Sequence, residues 1–301
     1  MKMPPLLAAL ALLICLPAQI QVQAQVRAQV QPHAKPAVIA LVAAVGNKLS
    51  YVRQRASTGS HIEPFSRSSV SLNTQALNIA VLRGLDKALE LDEPGSQRVF
   101  LSWTAPAEVD TAIEKSYGAK RDEILLEALR EHLRQMPQRE SWDRIEAVLP
   151  RYAHLSRAGM AGKLGGMGIY VQPLQAGSVE FDENGEVSSS TTNDGQHKTV
   201  NPRTGETAKE STFVAPYFYF DRVTLDAKTL AVLSRKPQYD NIKYSDPDST
   251  ALDVSQQVPI KGMLERLLTL AERSAYQSVR GKSEVEVGPA RAITPSASAP
   301  R

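Results

Sequence analysis

The residues of this chain able to do chemistry are scattered, and their spacing decides what each is worth. A helical zinc site needs two histidines four residues apart on one face. The five histidines, His33, His61, His132, His154 and His197, offer no such pair, and no His-Glu-x-x-His occurs. His61 and Glu63 stand two apart in a loop. Glu131 and His132 are neighbours that a helix points in different directions. All five read as surface histidines, and no metal is assigned. Asp240, Asp246 and Asp248 could offer oxygens to Ca²⁺, but an EF-hand loop needs a central Gly and a Glu at its twelfth position, and neither is placed correctly. They read as solvated turn acids. Gly162–Gly168 (GKLGGMG) has the look of a phosphate cradle, but that chemistry requires the glycines to follow a strand and open a helix. Here they open a strand, so they read as a flexible entry to it. Ser57, Ser60 and His61 are close in sequence, which says nothing about a triad, and no Gly-x-Ser-x-Gly is present. No catalytic residue and no cofactor is assigned.

One stretch invites a binding role. Phe213–Arg235 reads FVAPYFYFDRVTLDAKTLAVLSR, rich in the aromatic and β-branched residues that suit a pleated surface. Alternation along a strand puts Tyr217 and Tyr219 on one face and Phe218 and Phe220 on the other. Tyr217 and Tyr219 are the candidate binding residues, for a sugar or a peptide, with a core face as the plainer account. Pro216 predicts an edge strand or a bulge, and an open edge would accept a partner strand.

The same stretch is the centre on which the other elements pack. Leu225–Thr229 is the expected reversal and Leu230–Leu233 the returning strand, with Pro237–Thr250 an irregular surface segment. Pro36–Val45 suits a buried strand. Gly46-Asn47 predicts a tight turn into a second strand through Leu49, Tyr51 and Val52. Ser68–Leu72 is a third strand. Asn73 caps a helix carrying Leu77, Ala80, Val81, Leu85, Ala88 and Leu89 at helical spacing, stopped by Asp92–Gly95. Arg98–Thr104 is a strand. A helix start at Thr104 and Pro106 leads to a stripe of Leu125, Leu129, Leu133 and Met136, closed by Pro137. Ser141 is expected to begin a shorter helix with Trp142, Ile145, Val148 and Leu149 inward. Ile169–Val171 is a strand. Gly177–Thr212 is polar and punctuated by Asn184-Gly185, Asp194-Gly195 and Thr204-Gly205, so it predicts an insert of exposed hairpins that adds little stability. Ile260, Met263, Leu264, Leu267, Leu268, Ala271 and Ala275 make a closing amphipathic helix that docks on the sheet.

Composition bounds the rest. Apolar residues are 42% of the 301 and charged residues 22%, which allows an ordinary core. The net charge is only +3 and no Lys/Arg block occurs, so no nucleic-acid footprint is present. Lys2, the apolar run Leu6–Leu16 and Val22-Gln23-Ala24 predict a signal peptide cleaved after Ala24, and hence a periplasmic or secreted protein. No later apolar run is long enough to span a bilayer, so no transmembrane helix is expected after signal removal. Cys15 is the sole cysteine and leaves with the signal. Ile14 before it occupies a position that lipid attachment reserves for a small residue, which disfavours a lipoprotein. The expected organisation is a signal peptide at 1–24, a leader at 25–35, one domain at 36–280 with the polar insert 177–212, and a disordered tail at 281–301.

The layout of an exported chain, a mixed sheet, flanking helices and a late hairpin reading VTLDAKTLAVL resembles uncharacterised exported proteins of proteobacteria. More distantly, it resembles the periplasmic α/β domains of envelope-assembly proteins of the curli secretion lipoprotein type. The likeness rests on residues 213–235 and the element order, and it carries over no site residues. The expected fold is α/β, leaning to α+β, with a mixed sheet, flanking helices, a late β-hairpin and a C-terminal amphipathic helix. The expected function is a non-enzymatic binding or assembly-accessory module of the cell envelope, its partner an envelope protein or a cell-wall component. The alternative is a hydrolase acting on an envelope polymer. Carboxylates clustered in a deep cleft would favour the hydrolase, and a shallow site beside an exposed strand edge the binder.

Overall fold

The computed structural model describes residues 35–54, 65–72, 74–153, 164–172, 180–181, 187–188 and 197–281. The expectations for the signal peptide with Cys15, the leader, Asn73, His33, His61, His154, Gly162 and the 282–301 tail lie outside these residues.

Fourteen residues, Phe213–Asp226, form the long central strand β11, and the sheet is built outward from its two edges. In chain order the strands before it are β1 (Val38–Ala43), β2 (Lys48–Gln54), β3 (Phe65–Ser71), β4 (Gln97–Ser102), β5 (Arg144–Pro150), β6 (Met167–Gln172), the two-residue β7 (Glu180–Phe181) and β8 (Val187–Ser188), β9 (His197–Val200) and β10 (Thr207–Glu210). β12 (Val232–Asn241) follows it. The main sheet is mixed, with eight strands in the order β3-β2-β6-β11-β5-β1-β4 and β12 added to β11.

The registers give that order a simpler form. β12 takes one edge of β11 from Tyr217 to Leu225. β6 pairs with Phe213–Phe218 and β5 with Phe220–Asp226, so both must use the other edge, end to end. β1 lies parallel to β5 and β2 parallel to β6, so β1 and β2 are also end to end. β4 and β3 then stand side by side with them in the same way. The sheet is five columns wide, and three of the columns are broken along one line. The break falls at Ala44–Asn47 in one column and between the end of β5 at Pro150 and the start of β6 at Met167 in the next. This overturns the expected hairpin at Gly46-Asn47. Both edges of β1 are taken, by β4 and β5, and both edges of β2 by β3 and β6, so the two strands cannot pair with each other. Gly46, at φ +75°, makes the step between them.

Helices α1 (Ala76–Asp92), α2 (Ala107–Glu114), α3 (Ala119–Arg134), α4 (Val254–Gln257) and α5 (Ile260–Arg280) complete the fold. α1 and α5 cover one face, burying Leu77, Val81, Leu85, Leu267 and Ala271 against Ile39, Leu41, Phe218 and Phe220. α2 and α3 cover the other, where Ile113, Leu125, Leu129 and Leu133 meet Ala40, Val42, Ile145, Ala147 and Val223. Gly118, at φ +51°, separates α2 from α3. The stripes read from the sequence for α1 and α3 are buried or half-buried, and so is that of α5 except for Ile260, which is exposed; Leu270 joins the buried side of α5.

Three expectations fail for identifiable reasons. Residues 144–150 are strand β5, not a helix: β5 is covered on both faces, so its near-continuous burial shows no alternation, and its apolar spacing mimics a helix. β12 runs on to Asn241 through Pro237, which an edge strand tolerates. Pro216 lies in the interior strand β11, not at a sheet edge. Its missing N–H falls where the β12 ladder ends, just past the Tyr217–Asn241 pair, and Ile242 N donates to its carbonyl.

The late hairpin turn is held by Asp226, whose carboxylate accepts from the amides of Lys228 and Thr229 and from the Thr229 hydroxyl. Those bonds hold its carboxyl below the usual range. The second half of the polar insert does not project freely. β9 and β10 form a hairpin whose turn residue Asn201 is buried beside Asp246, with Thr199 also buried. Val200 bridges to Tyr244, and Arg203 binds Asp246 at 2.7 Å. Asp246 is therefore a buried latch, and Asp240, buried within β12, is likewise not a solvated turn acid.

Candidate functional site

The break line across the sheet opens into a cavity of about 220 Å³ on the α2–α3 face. Its floor is the step from Ala44 to Lys48, with Thr104 and Ala105 after β4 and Pro150 and Tyr152 after β5. These are the carboxyl ends of the three parallel strands β4, β1 and β5. The chain leaves β1, returns as β4 on one side, then crosses back through α2 and α3 to β5 on the other side. Strand order thus reverses at β1, and crevices outside the carboxyl ends at such a switch point are where open α/β sheets take ligands.

Each wall has a local cause. Asn78, buried in α1, accepts from Val45 N at 3.1 Å and donates to Ser102 Oγ at 2.9 Å and to the Trp103 carbonyl. It ties the ends of β1 and β4 to the first turn of α1. Gly165 and Gly166 pack against Tyr152, so closely that a Cβ on Gly165 would stand 3.1 Å from the Tyr152 Cα. Lys48 binds Asp110 of α2 at 2.6 Å across the mouth. Glu114, one turn further along α2, and Arg121 of α3 also line the cavity. Burial pushes the Tyr152 phenol up to about 12, with the Asp110 charge adding to the shift. The glycine-rich stretch thus does enter a strand, but Gly165 and Gly166, just before it, form a cavity wall.

Beside the cavity lies a buried charge network. Asp221 of β11 accepts from Arg151 at 2.9 Å and from Arg235 at 2.7 Å. Arg151 also donates to the Tyr239 hydroxyl, and Arg235 to Glu123. Asp122 accepts from the amides of Tyr152 and Ala153, holding the chain as it leaves β5. A second network on the opposite face joins Glu146 to Arg144, Thr224 and Arg222, and Arg144 to Glu93. These carboxylates are committed to arginines.

Burial raises the Asp122 carboxyl, and the Asp221 charge adds to it, against the lowering effect of the Tyr152 amide and of Arg151. A carboxyl whose folded pKa is raised contributes stability present at low pH and lost as pH rises through that pKa. Asp122→Asn keeps an acceptor for Tyr152 N without the charge. The native chain is expected to gain on this variant in melting temperature as pH falls from 7 toward about 4, the ordinary carboxylate range. A gap that narrows or stays constant in paired thermal melts would contradict the assignment.

Tyr217 and Tyr219 do share a face, as alternation predicts, but both are buried, at 0% and 3% exposure. They pack with Val52, Phe65, Leu164, Tyr170, Phe213 and Ala215, their rings 5.2 Å apart. Among the described residues neither hydroxyl makes a well-formed hydrogen bond, although the Ser50 and Asn241 side chains lie beside them. Burial raises both phenols. The pair is core, and neither ring lines the break-line cavity. His132 stacks on Trp103, and half-buried His197 meets Phe213 edge-on and lies 3.0 Å from the Lys243 ammonium, so His197 is not a plain surface histidine. Among the described residues no group of three or more His, Cys, Asp or Glu is placed to hold a metal ion.

Among the described residues no helix is long and apolar enough to cross a membrane. No protein-family model matches the chain. No curated protein matches it. Among solved structures, it is similar to the crystal structure of a "putative neuraminyllactose-binding hemagglutinin homolog" from Helicobacter pylori, at 5% identity and a TM-score of 0.31, over 85% of this chain and 89% of that one. A likeness of that size carries no statement about what this chain binds.

Proposed function

We propose that this chain is an exported, non-enzymatic binding module of the cell envelope, and that the break-line cavity takes a small group presented by its partner, an envelope protein or a cell-wall component. The observation that carries the reading is the cavity's construction. It sits at the switch point of the parallel strands, and its mouth is spanned by the Lys48–Asp110 ion pair. At about 220 Å³ it falls below the roughly 300–1,000 Å³ usual for a whole small-molecule ligand and suits a single side chain or chain end. β3, beside it, is a sheet edge with six of its seven residues exposed.

The hydrolase reading draws on one observation: Asp110 and Glu114 lie four apart on α2 and both line the cavity. Asp110, however, is held by Lys48, and the buried carboxylates nearby are bound to arginines.

A photoreactive residue placed at Ser69, on the cavity rim, is expected to give one discrete adduct in cells. The same residue at Glu131, exposed on α3 and outside the cavity lining, is expected to give none. Absence of an adduct from Ser69, or equal adducts from both positions, would count against the cavity as a binding site.

A further inference from the structure

We propose that Arg121 is the anchor of this cavity and that the group it receives is a carboxylate; the inference rests on the cavity being the binding site. Arg121 lies in the first turn of α3, half-buried, with its side chain on the cavity wall. Its Nε donates to the Ser116 carbonyl, which fixes the base of the guanidinium. Its Cζ stands 5.9 Å from the ring centres of both Tyr117 and Tyr152. Two aromatic neighbours and one backbone bond hold the group in place and leave the donors of its two Nη atoms.

Among the described residues those donors have no carboxylate to bind. Arg53, Arg98, Arg144, Arg151 and Arg235 each hold a carboxylate within 4 Å. Arg121 makes no ion pair among the described residues, although Glu114 lines the same cavity. A guanidinium fork that is positioned but unpaired matches the two oxygens of a carboxylate. The backbone adds to it. The N–H groups of Gly46 and Asn47, at the end of β1, and of Thr104 and Ala105, after β4, make no hydrogen bond among the described residues. Successive N–H groups at such bends favour an anion.

The balance of charge selects a monoanion. Lys48 is neutralised by Asp110, so among the described residues that line the cavity Arg121 is the cation outside an ion pair, and Glu114 stands nearby with no ion-pair partner among the described residues. A doubly charged phosphate would face Asp110 and Glu114 with, among the described lining residues, Arg121 to hold it. A carboxylate suits the site, either the end of a peptide chain or a free amino acid whose ammonium meets Glu114.

The test uses N-acetyl-dialanine as the free acid and as its C-terminal amide, followed through the amide resonances of Gly46, Gly165 and Gly166 in the mature chain. The free acid is expected to shift these resonances with an affinity about tenfold or more above that of the amide. Arg121→Met is expected to remove that difference with little change in melting temperature, and Arg121→Lys to retain part of it. Free alanine binding as tightly as the acid would assign the site to amino acids, and weaker binding would assign it to chain ends. Equal binding of acid and amide would overturn the carboxylate while leaving the cavity as a binding site. No shift with either peptide at roughly 10 mM, where millimolar binding would be near saturation, would overturn the inference. The Ser69 adduct would then decide separately whether the cavity binds a partner.

Discussion

Asp221→Ala is expected to lower the melting temperature by roughly 6–12 °C, at about 2–4 °C per kcal/mol for a domain of this size. The Asp221 side chain is 2% exposed and takes hydrogen bonds from Arg151 and Arg235. Removing it leaves two guanidinium groups facing each other in the hole. Breaking a buried pair costs about 3–5 kcal/mol. The lower end applies, because Arg151 and Arg235 keep 21% and 27% of their side-chain surface and solvent relieves part of the cost. Asp221→Asn, which keeps shape and acceptor but not charge, is expected to fall between. Since Arg151 is the residue at which the chain leaves β5, amide exchange at Tyr152 should quicken in the alanine variant. A melting temperature within about 2 °C of native would show that the network is incidental.

Gly84→Ala is the second large effect, and its sign is diagnostic. In an exposed helix interior this change stabilises by about 1 kcal/mol. Here a Cβ at Gly84 would stand 2.1 Å from the Glu272 carbonyl and 2.9 Å from Ala275 Cβ. Both belong to α5, so α1 and α5 would have to separate. Overpacking of this kind costs about 1–3 kcal/mol and at times more. The clash is with backbone, so the expected loss is about 3 kcal/mol, read from urea unfolding. A gain in stability would mean that the two helices do not touch at this point.

How far these features could be read from the sequence depends on what fixes each. The stripes of α1, α3 and α5 are legible because each helix buries one side, and a one-sided pattern has a period. The late hairpin is legible because Asp226 and Thr229 supply their own turn chemistry. β5 is not, because a strand covered on both faces loses its alternation and leaves only a run of apolar residues. The broken columns are not, because a strand's pattern shows which face is buried and says nothing about which edge is paired. Hence Gly46-Asn47 reads as a reversal when it is a step along one column. The aromatic run draws attention to Tyr217 and Tyr219, yet large aromatic side chains in a central strand are what fills the core. The cavity residues come from three elements: Lys48 of β2, Asp110 and Glu114 of α2, and Arg121 of α3. Apart from the i, i+4 pair on α2 they share no spacing, and the topology brings them together. Asn78 carried a readable signal, an amide set among the buried positions of an otherwise apolar stripe. A buried amide must find partners, and here they are the ends of β1 and β4.

The central claim is that the cavity on the break line is where this protein meets its partner. Filling that cavity is its most direct test. Ala105 is half-buried on the cavity wall, so Ala105→Phe should occupy the space without disturbing the helix stripes. The measurement is the yield of cross-linked adduct from a photoreactive residue at Glu114, compared between the native chain and the Ala105→Phe chain at equal expression and equal melting temperature. The expected result is a discrete adduct in the native chain that falls about tenfold or more when the cavity is filled. An adduct of undiminished yield from the filled chain would contradict the account.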